Sequence, residues 1–245
     1  MSRALVTGGT SGIGRAVALA LQAAGHEVMV TGRNSGALAE LSALGMRTLS
    51  VDLGDVGALT AVLAAALQDF SPDILVNNAG IVAPPGNFCD MAEADIHRSV
   101  ATNLTQALIV THAVAPGMRA RGRGHIFFTG SIAGHTPYPN MAVYAATKAA
   151  LGGFAQSLRL DLSPAMVRVT EIVAGRVESP LYKGILSDEA RAAMYAGNTA
   201  VQPEDVAQMV LSVLALPAHV DVARFDILPT RQPVTPQVPA VEKPQ

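Results

Sequence analysis

Residues 4–25 read ALVTGGTSGIGRAVALALQAAG, a short apolar run, a glycine-rich loop and then apolar residues at helical spacing. ALVT at 4–7 has the length and composition of a buried strand, and IGRAVALALQAA that of an amphipathic helix whose Gly25 can end it in a left-handed cap. Between them Gly8, Gly12 and Gly14 fall in the spacing G-x-x-x-G-x-G. Residues without a Cβ let the backbone turn sharply and come close to a pyrophosphate, whose charge meets the open N–H groups and positive dipole end of the helix at 13–24. Thr10 and Ser11 add hydroxyl donors, and Ile13 begins the helix. One glycine here would mean no more than a tight turn; three in this context point to a dinucleotide. No Lys-Ser/Thr pair follows Gly14, so a Walker-type phosphate loop is excluded.

Outward from this unit the alternation continues. Strand-like runs lie at 27–31, 47–51, 74–78, 125–130, 167–173 and 224–228, with helical patterns at 36–44, 55–69, 90–119, 142–162 and 203–216. Strands joined by crossover helices make an α/β fold with a parallel sheet covered on both faces. There is no internal repeat and no Gly/Ser linker, so residues 1–230 read as one domain. Residues 178–202, ESPLYKGILSDEARAAMYAGNTAVQ, are too long for an ordinary connection and read as a mobile cover. The segment 231–245 belongs to a tail with prolines at 229, 233, 236, 239 and 244, expected to be disordered or to lie on a neighbouring subunit.

Composition excludes other classes. The 245 residues are 50% hydrophobic and 15% charged, enough for a large core, and 17 Lys+Arg against 19 Asp+Glu leave no basic excess for nucleic acid. Mean hydropathy is +0.34. The apolar runs, such as AVLAAAL at 61–67, fall far below the ~18 residues that cross a bilayer. No membrane segment is therefore expected. Cys89 is the only cysteine, which rules out an intrachain disulfide, and the start MSRALVTGG leaves no room for an export signal, so a cytoplasmic location is expected. Six scattered histidines give no metal-ligand spacing, and no metal is expected.

Two further stretches carry chemistry. The second strand ends VMVTGRN at 28–34, where an acidic residue would bind the adenosine ribose; Gly32 and Arg33 stand there instead, a guanidinium suited to a 2′-phosphate. NADP(H) is expected ahead of NAD(H). YAATK at 144–148 puts Tyr144 and Lys148 on one helical face a turn apart. A nearby ammonium is expected to lower the phenol from its ordinary value toward the range acid–base chemistry needs. Alone, such a pair is commonly a packed ring and a solvated amine.

In order and spacing, the glycine loop, NNAG at 77–80, Ser131 in FTGSIAG and the Tyr/Lys pair resemble the short-chain dehydrogenase/reductase family. The resemblance extends to about residue 230, and the family's thirteen-residue step from Ser to Tyr is met by Ser131 and Tyr144. It implies a Rossmann-type doubly wound sheet of about seven strands in the order 3-2-1-4-5-6-7. It also implies hydride transfer between nicotinamide and a ketone or secondary alcohol. Tyr144 would be the acid or base, Lys148 would bind the nicotinamide ribose and tune that phenol, and Ser131 would orient the substrate oxygen. Asn103, in TNLTQAL, would hold a relay water; Asp52 and Leu53 would flank adenine; Asn78, Ala79 and Gly80 would pack beside its ribose. Asn77 would tie strands together. A small-molecule carbonyl or alcohol substrate and a homotetramer or homodimer, built on the helices at 90–119 and 142–162, follow from the same resemblance.

The chain departs from the family where AGRVES at 174–179 replaces Pro-Gly-x-Val-x-Thr, with Ala174 for proline and Ser179 for threonine. The hydroxyl and the main chain near Val177 remain available for the carboxamide. The ending DILPTRQP at 226–233 is similar to that of the subgroup with serine, 3-hydroxy acid and clavulanic acid dehydrogenases. His135, Tyr138 and Met141 could border the substrate or sit in a plain loop, and Arg176 and Lys183 read as solvated more readily than as contacts for an acidic substrate. Two rivals are a catalytically silent NADP(H) sensor, which would lack Tyr144 or Lys148, and a lyase on the same scaffold, which would carry Arg in place of Lys148.

Overall fold

A computed structural model describes residues 1–136 and 138–231; the end of the tail, 232–245, lies outside the described residues. Seven parallel strands form one sheet: β1 (Arg3–Val6), β2 (Glu27–Gly32), β3 (Arg47–Ser50), β4 (Ile74–Asn77), β5 (Gly124–Thr129), β6 (Val167–Ala174) and β7 (Arg224–Ile227). Their order is β3-β2-β1-β4-β5-β6-β7, as the resemblance implies, with β1 and β4 adjacent at the centre. There the order reverses direction, which opens a crevice beyond the carboxyl ends of the strands.

Helices α1 (Gly12–Ala23), α2 (Ser35–Ala43) and α8 (Pro203–Leu214) contribute to the core on one face, and α3 (Val56–Ala66), α5 (Gln106–Arg121) and α6 (Ala142–Leu162) to that on the other. Alternation within strands assigns the side chains. Ala4 and Val6, Val28 and Val30, Ile74 and Val76, and Phe127 pack toward α1 and α8. Leu5, Met29, Leu75, Ile126 and Phe128 pack toward α3, α5 and α6. A strand buried on both faces has no polar side to show, which is why these runs are continuous in the sequence. Gly25, at φ +83°, closes α1 as its sequence suggests.

The helix expected over 90–119 differs. Residues 88–90 are a separate 3₁₀ turn, with Asn87 accepting from the Cys89 N–H, and α4 runs only over Glu93–Val100. It continues through one π turn, Ala101–Thr105, into α5. Apolar spacing marks the helix but not the single extra residue that a π turn inserts, a feature that often accompanies functional sites.

The excursion at 178–202 is stapled at its base. Val177 and Val201 pair in a parallel bridge, with Glu178 N–H donating to Val201 O and Val201 N–H to Arg176 O, each at 2.9 Å. Between them lie a 3₁₀ turn, Pro180–Tyr182, and α7 (Asp188–Tyr195), capped by Ser187. Among the described residues no helix is long and apolar enough to cross a membrane.

Phe127 is fully buried and stacks on His125 with ring centroids 4.0 Å apart, whereas Leu160 is 64% exposed. Urea unfolding of Phe127→Ala is expected to show a loss of about 3–5 kcal/mol. Leu160→Ala should stay within about 0.5 kcal/mol of the parent protein; similar losses for both would contradict this core.

Candidate active site

A cleft of about 1630 Å³ opens over the carboxyl ends of the strands. Of the residues singled out in the sequence, Gly8, Thr10, Ser11, Gly12, Ile13, Arg33, Asp52, Leu53, Asn78, Ala79, Gly80, Ser131, Tyr144, Lys148, Val177 and Ser179 all line it. Gly14 and Asn103 do not; they stand behind its wall, where each shapes a neighbour.

The glycine loop is shaped by close backbone approach. Gly8 has φ +65° and Gly12 φ +50°, and a Cβ on Gly8 would stand 2.9 Å from Ala79 Cα. A Cβ on Gly14 would meet the Gly8 carbonyl oxygen and Asn78 Nδ2, both at 2.4 Å, so Gly14 serves the packing of α1 against the loop. Ser11 caps α1 without spending its hydroxyl on the helix, and no acidic residue occupies the first turn. The positive end of α1 therefore faces the cleft as an anion site. Thr7, which the sequence reading passed over, holds the opposite wall: its Oγ1 accepts from the Asn78 and Ala79 N–H groups at 3.0 and 3.1 Å. Asn78 Nδ2 in turn donates to Thr7 O. Asn77 pairs with Phe128 in the β4–β5 ladder, but its side chain ties β4 to a helix, Nδ2 donating to Thr111 on α5 at 2.9 Å.

At the far end of β2, a Cβ on Gly32 would lie 2.4 Å from Thr10 Cγ2. Thr10 thus fills the space in which a ribose-binding carboxylate would begin. Arg33 is mostly exposed and pairs loosely with Asp52 at 3.4 Å, leaving its guanidinium accessible to a phosphate. The glycine cradle, the open helix end and Arg33 fit a phosphorylated dinucleotide.

Across the cleft, Lys148 is buried and its Nζ donates to Thr129 O at 2.7 Å. The same ammonium lies 5.8 Å from the centre of the Tyr144 ring, and a Cβ on Gly80 would approach Nζ to 3.6 Å. Ser131 caps the 3₁₀ turn Ile132–Gly134, its Oγ accepting from Ala133 N–H at 3.1 Å while also hydrogen-bonding the Tyr144 phenol. Asn103, from the π turn, accepts from Ile81 N–H at 2.7 Å and donates to Ile81 O at 2.9 Å and Thr147 Oγ1 at 3.3 Å. Its amide is thereby committed to holding the segment after β4.

The electrostatics differ from the simple expectation for a phenol beside an amine. Part of Tyr144 still meets solvent, yet burial pushes the phenol up to about 12, the Ser131 hydrogen bond pulling it down and repulsion from Tyr182 adding to the rise. Burial also pulls Lys148 down to about 8, with the Glu171 carboxylate drawing it back up. Dry walls disfavour charge on both groups, and that outweighs the attraction between them. The phenol is protonated at neutral pH and can act as an acid.

Ser179 sits over the glycine loop, 3.2 Å from where a Gly12 Cβ would be, and Tyr195 donates to its carbonyl at 3.3 Å. Tyr138, Met141, Leu181, Tyr182, Ile185 and Met194 line the part of the cleft open to a substrate. His135 turns away from it and pairs with Glu171, so of the three loop residues only Tyr138 and Met141 border the cleft. Lys183 lines the cleft, and Arg176 does so with Nη1 donating to Met194 O at 2.8 Å.

The chain matches a family model described as short chain dehydrogenase over residues 2–190. It is 38% identical to sulfoacetaldehyde reductase 2 of Chromohalobacter salexigens over 237 residues, 93% of this chain and 94% of that one. It is 37% identical to the NADP-dependent 3-hydroxy acid dehydrogenase of Salmonella typhimurium over 239 residues, 93% of this chain and 95% of that one. A solved structure of the closed form of serine dehydrogenase complexed with NADP+ aligns with a TM-score of 0.88 at 33% identity, covering 95% of this chain and 97% of that one.

Arg33→Ala is expected to weaken NADPH binding about tenfold or more, the worth of one charged hydrogen-bonding partner, and to leave NADH binding unchanged in a fluorescence titration. Equal affinities of the parent protein for the two dinucleotides would contradict the assignment of Arg33.

Proposed function

The chain belongs to the short-chain dehydrogenase/reductase family, an NADP(H)-dependent oxidoreductase of alcohol or carbonyl groups, and from that premise we propose that it reduces a small ketone or aldehyde with Tyr144 as the proton donor. The observation that carries this reading is the Tyr144 phenol, beside Ser131 and a helical turn from the buried Lys148 ammonium, in the wall of a cleft shaped for a dinucleotide. We read residues 1–230 as one catalytic domain.

Gly8, Thr10, Ser11, Gly12 and Ile13 would hold the pyrophosphate, Arg33 the 2′-phosphate, and Asp52 and Leu53 the adenine. Asn78, Ala79 and Gly80 would flank its ribose, Lys148 would hold the nicotinamide ribose, and Val177 and Ser179 the carboxamide. When bound, NADPH supplies the hydride that adds to the carbonyl carbon. Ser131 and Tyr144 donate hydrogen bonds to the carbonyl oxygen, and as negative charge develops there the Tyr144 proton moves to it. The phenolate left behind is the stronger base of the buried pair and recovers its proton from the Lys148 ammonium, and the lysine amine then takes one from solvent before the next turnover. Asn103 keeps Ile81, and with it the wall beside Gly80 and Lys148, in register for this exchange.

The stapled excursion at 178–202 would be the lid. Leu181, Tyr182, Ile185 and Met194 project from it into the cleft, so its closure removes water from the reacting groups. A homodimer or homotetramer would be built on the two long helical segments, 93–121 and α6.

Sulfoacetaldehyde, 3-oxo acids and simple ketones, each offered with NADPH and followed by the absorbance of the reduced cofactor, test the reading. At least one class is expected to turn over. Tyr144→Phe should then lose about a hundredfold to ten-thousandfold in kcat while still binding NADPH, weakened by no more than the ~1 kcal/mol of one hydrogen bond. Full activity in that variant would exclude Tyr144 as the acid.

A further inference from the structure

Glu171, on β6, is a buried carboxylate that the mechanism above does not use. It is 1% exposed, and its environment is built around it. A Cβ on Gly130 would stand 2.6 Å from Oε1 and one on Gly152 2.9 Å, so both positions leave room for the carboxylate that any side chain would fill. Gly152 lies one turn beyond Lys148 on α6, and Lys148 one turn beyond Tyr144, which places phenol, ammonium and carboxylate along a single stripe of the helix. His135 Nε2 meets Oε1 at 2.9 Å. Oε2 is buried with no hydrogen-bond partner among the described residues.

An unmatched buried oxygen calls for an account, and the charges around it supply one. Lys148 lies on α6 one turn before Gly152, the position that packs on the carboxylate, and His135 reaches it from the turn after β5. Arg224 stands opposite in the register of β7, with its Nη1 3.4 Å from His135 Nδ1, and is itself paired with Asp226 at 2.8 Å. Among the described residues, the Glu171 carboxylate is the charge that draws the Lys148 ammonium back up against its burial.

We propose that Glu171 is a positioning residue of the site: its carboxylate, cradled by Gly130 and Gly152 and covered by His135, is the fixed anion that keeps Lys148 an ammonium behind the Tyr144 phenol. Glu171 touches neither the cleft nor the reacting atoms; it acts through Lys148. A tie between the His135 loop and the sheet would be the merely structural alternative, and it would leave the lysine's titration where it is. The inference deepens the proposed role of Lys148, and its test reads the lysine directly, independent of any turnover.

The sequence holds three lysines, at 148, 183 and 243, so ¹³Cε-lysine labelling gives three resonances, with Lys148 assigned by its loss in Lys148→Arg. In the parent protein Lys148 is expected to titrate near 8. In Glu171→Gln its midpoint should fall by about one pH unit, the lower end of what one opposite charge at close range supplies. Glu171→Asp, which withdraws the same charge by one methylene, should fall between the two. If Glu171→Gln does not fold, the aspartate variant carries the test alone. A folded Glu171→Gln, or in its place Glu171→Asp, whose Lys148 midpoint equals that of the parent would overturn the proposal.

Discussion

The hydrogen bond from Lys148 to the carbonyl of Thr129 joins the second turn of α6 to the last residue of β5, and the site is arranged around it. β5 is paired on both sides, with β4 and β6, so its end cannot drift. An ammonium anchored there fixes the rotation of α6, and that rotation puts Tyr144 a turn away over the same edge. The chain leaving β5 then reaches Ser131 within two residues, close enough for its hydroxyl to meet the phenol. Gly134 completes the joint, since a Cβ there would lie 2.8 Å from the Lys148 carbonyl carbon.

This joint places charge where solvent cannot support it. A buried ammonium without a counter-charge tends to lose its proton, and a buried phenol to keep its own. The protein answers with a carboxylate on the next strand, and accommodates it by leaving out two side chains at Gly130 and Gly152. The resulting order of acidities, a weakly acidic phenol beside a more acidic ammonium, suits a site that gives up a proton and must regain it.

Local physics made much of this legible in the sequence. Three glycines before a helix, the strand and helix periods, and Tyr144 and Lys148 at i and i+4 each express geometry within one or two elements, and apart from the helix over 90–119 the structure places them as expected. What stayed hidden depends on partners distant in the chain. Thr7 meets Asn78 and Ala79 across 71 and 72 positions, and His135 meets Glu171 across 36, with no spacing rule to announce either. The π turn adds a residue without disturbing the apolar pattern of the helix. The direction of the Tyr144 shift is not legible in the sequence, because the spacing reveals the ammonium but not the dryness around it. Gly32 and Arg33 were legible as a missing carboxylate and an added cation; that Thr10 occupies the vacated space needed coordinates.

A crystal structure of the protein with NADP+ bound tests the central claim most directly. The account predicts the nicotinamide end lying against Tyr144 and Lys148, with Oη and Nζ both within hydrogen-bonding distance, about 3 Å, of that half of the molecule. The 2′-phosphate should rest on Arg33. A dinucleotide bound in the reverse sense, or one that leaves Tyr144 and Lys148 without contact to its nicotinamide half, would contradict it.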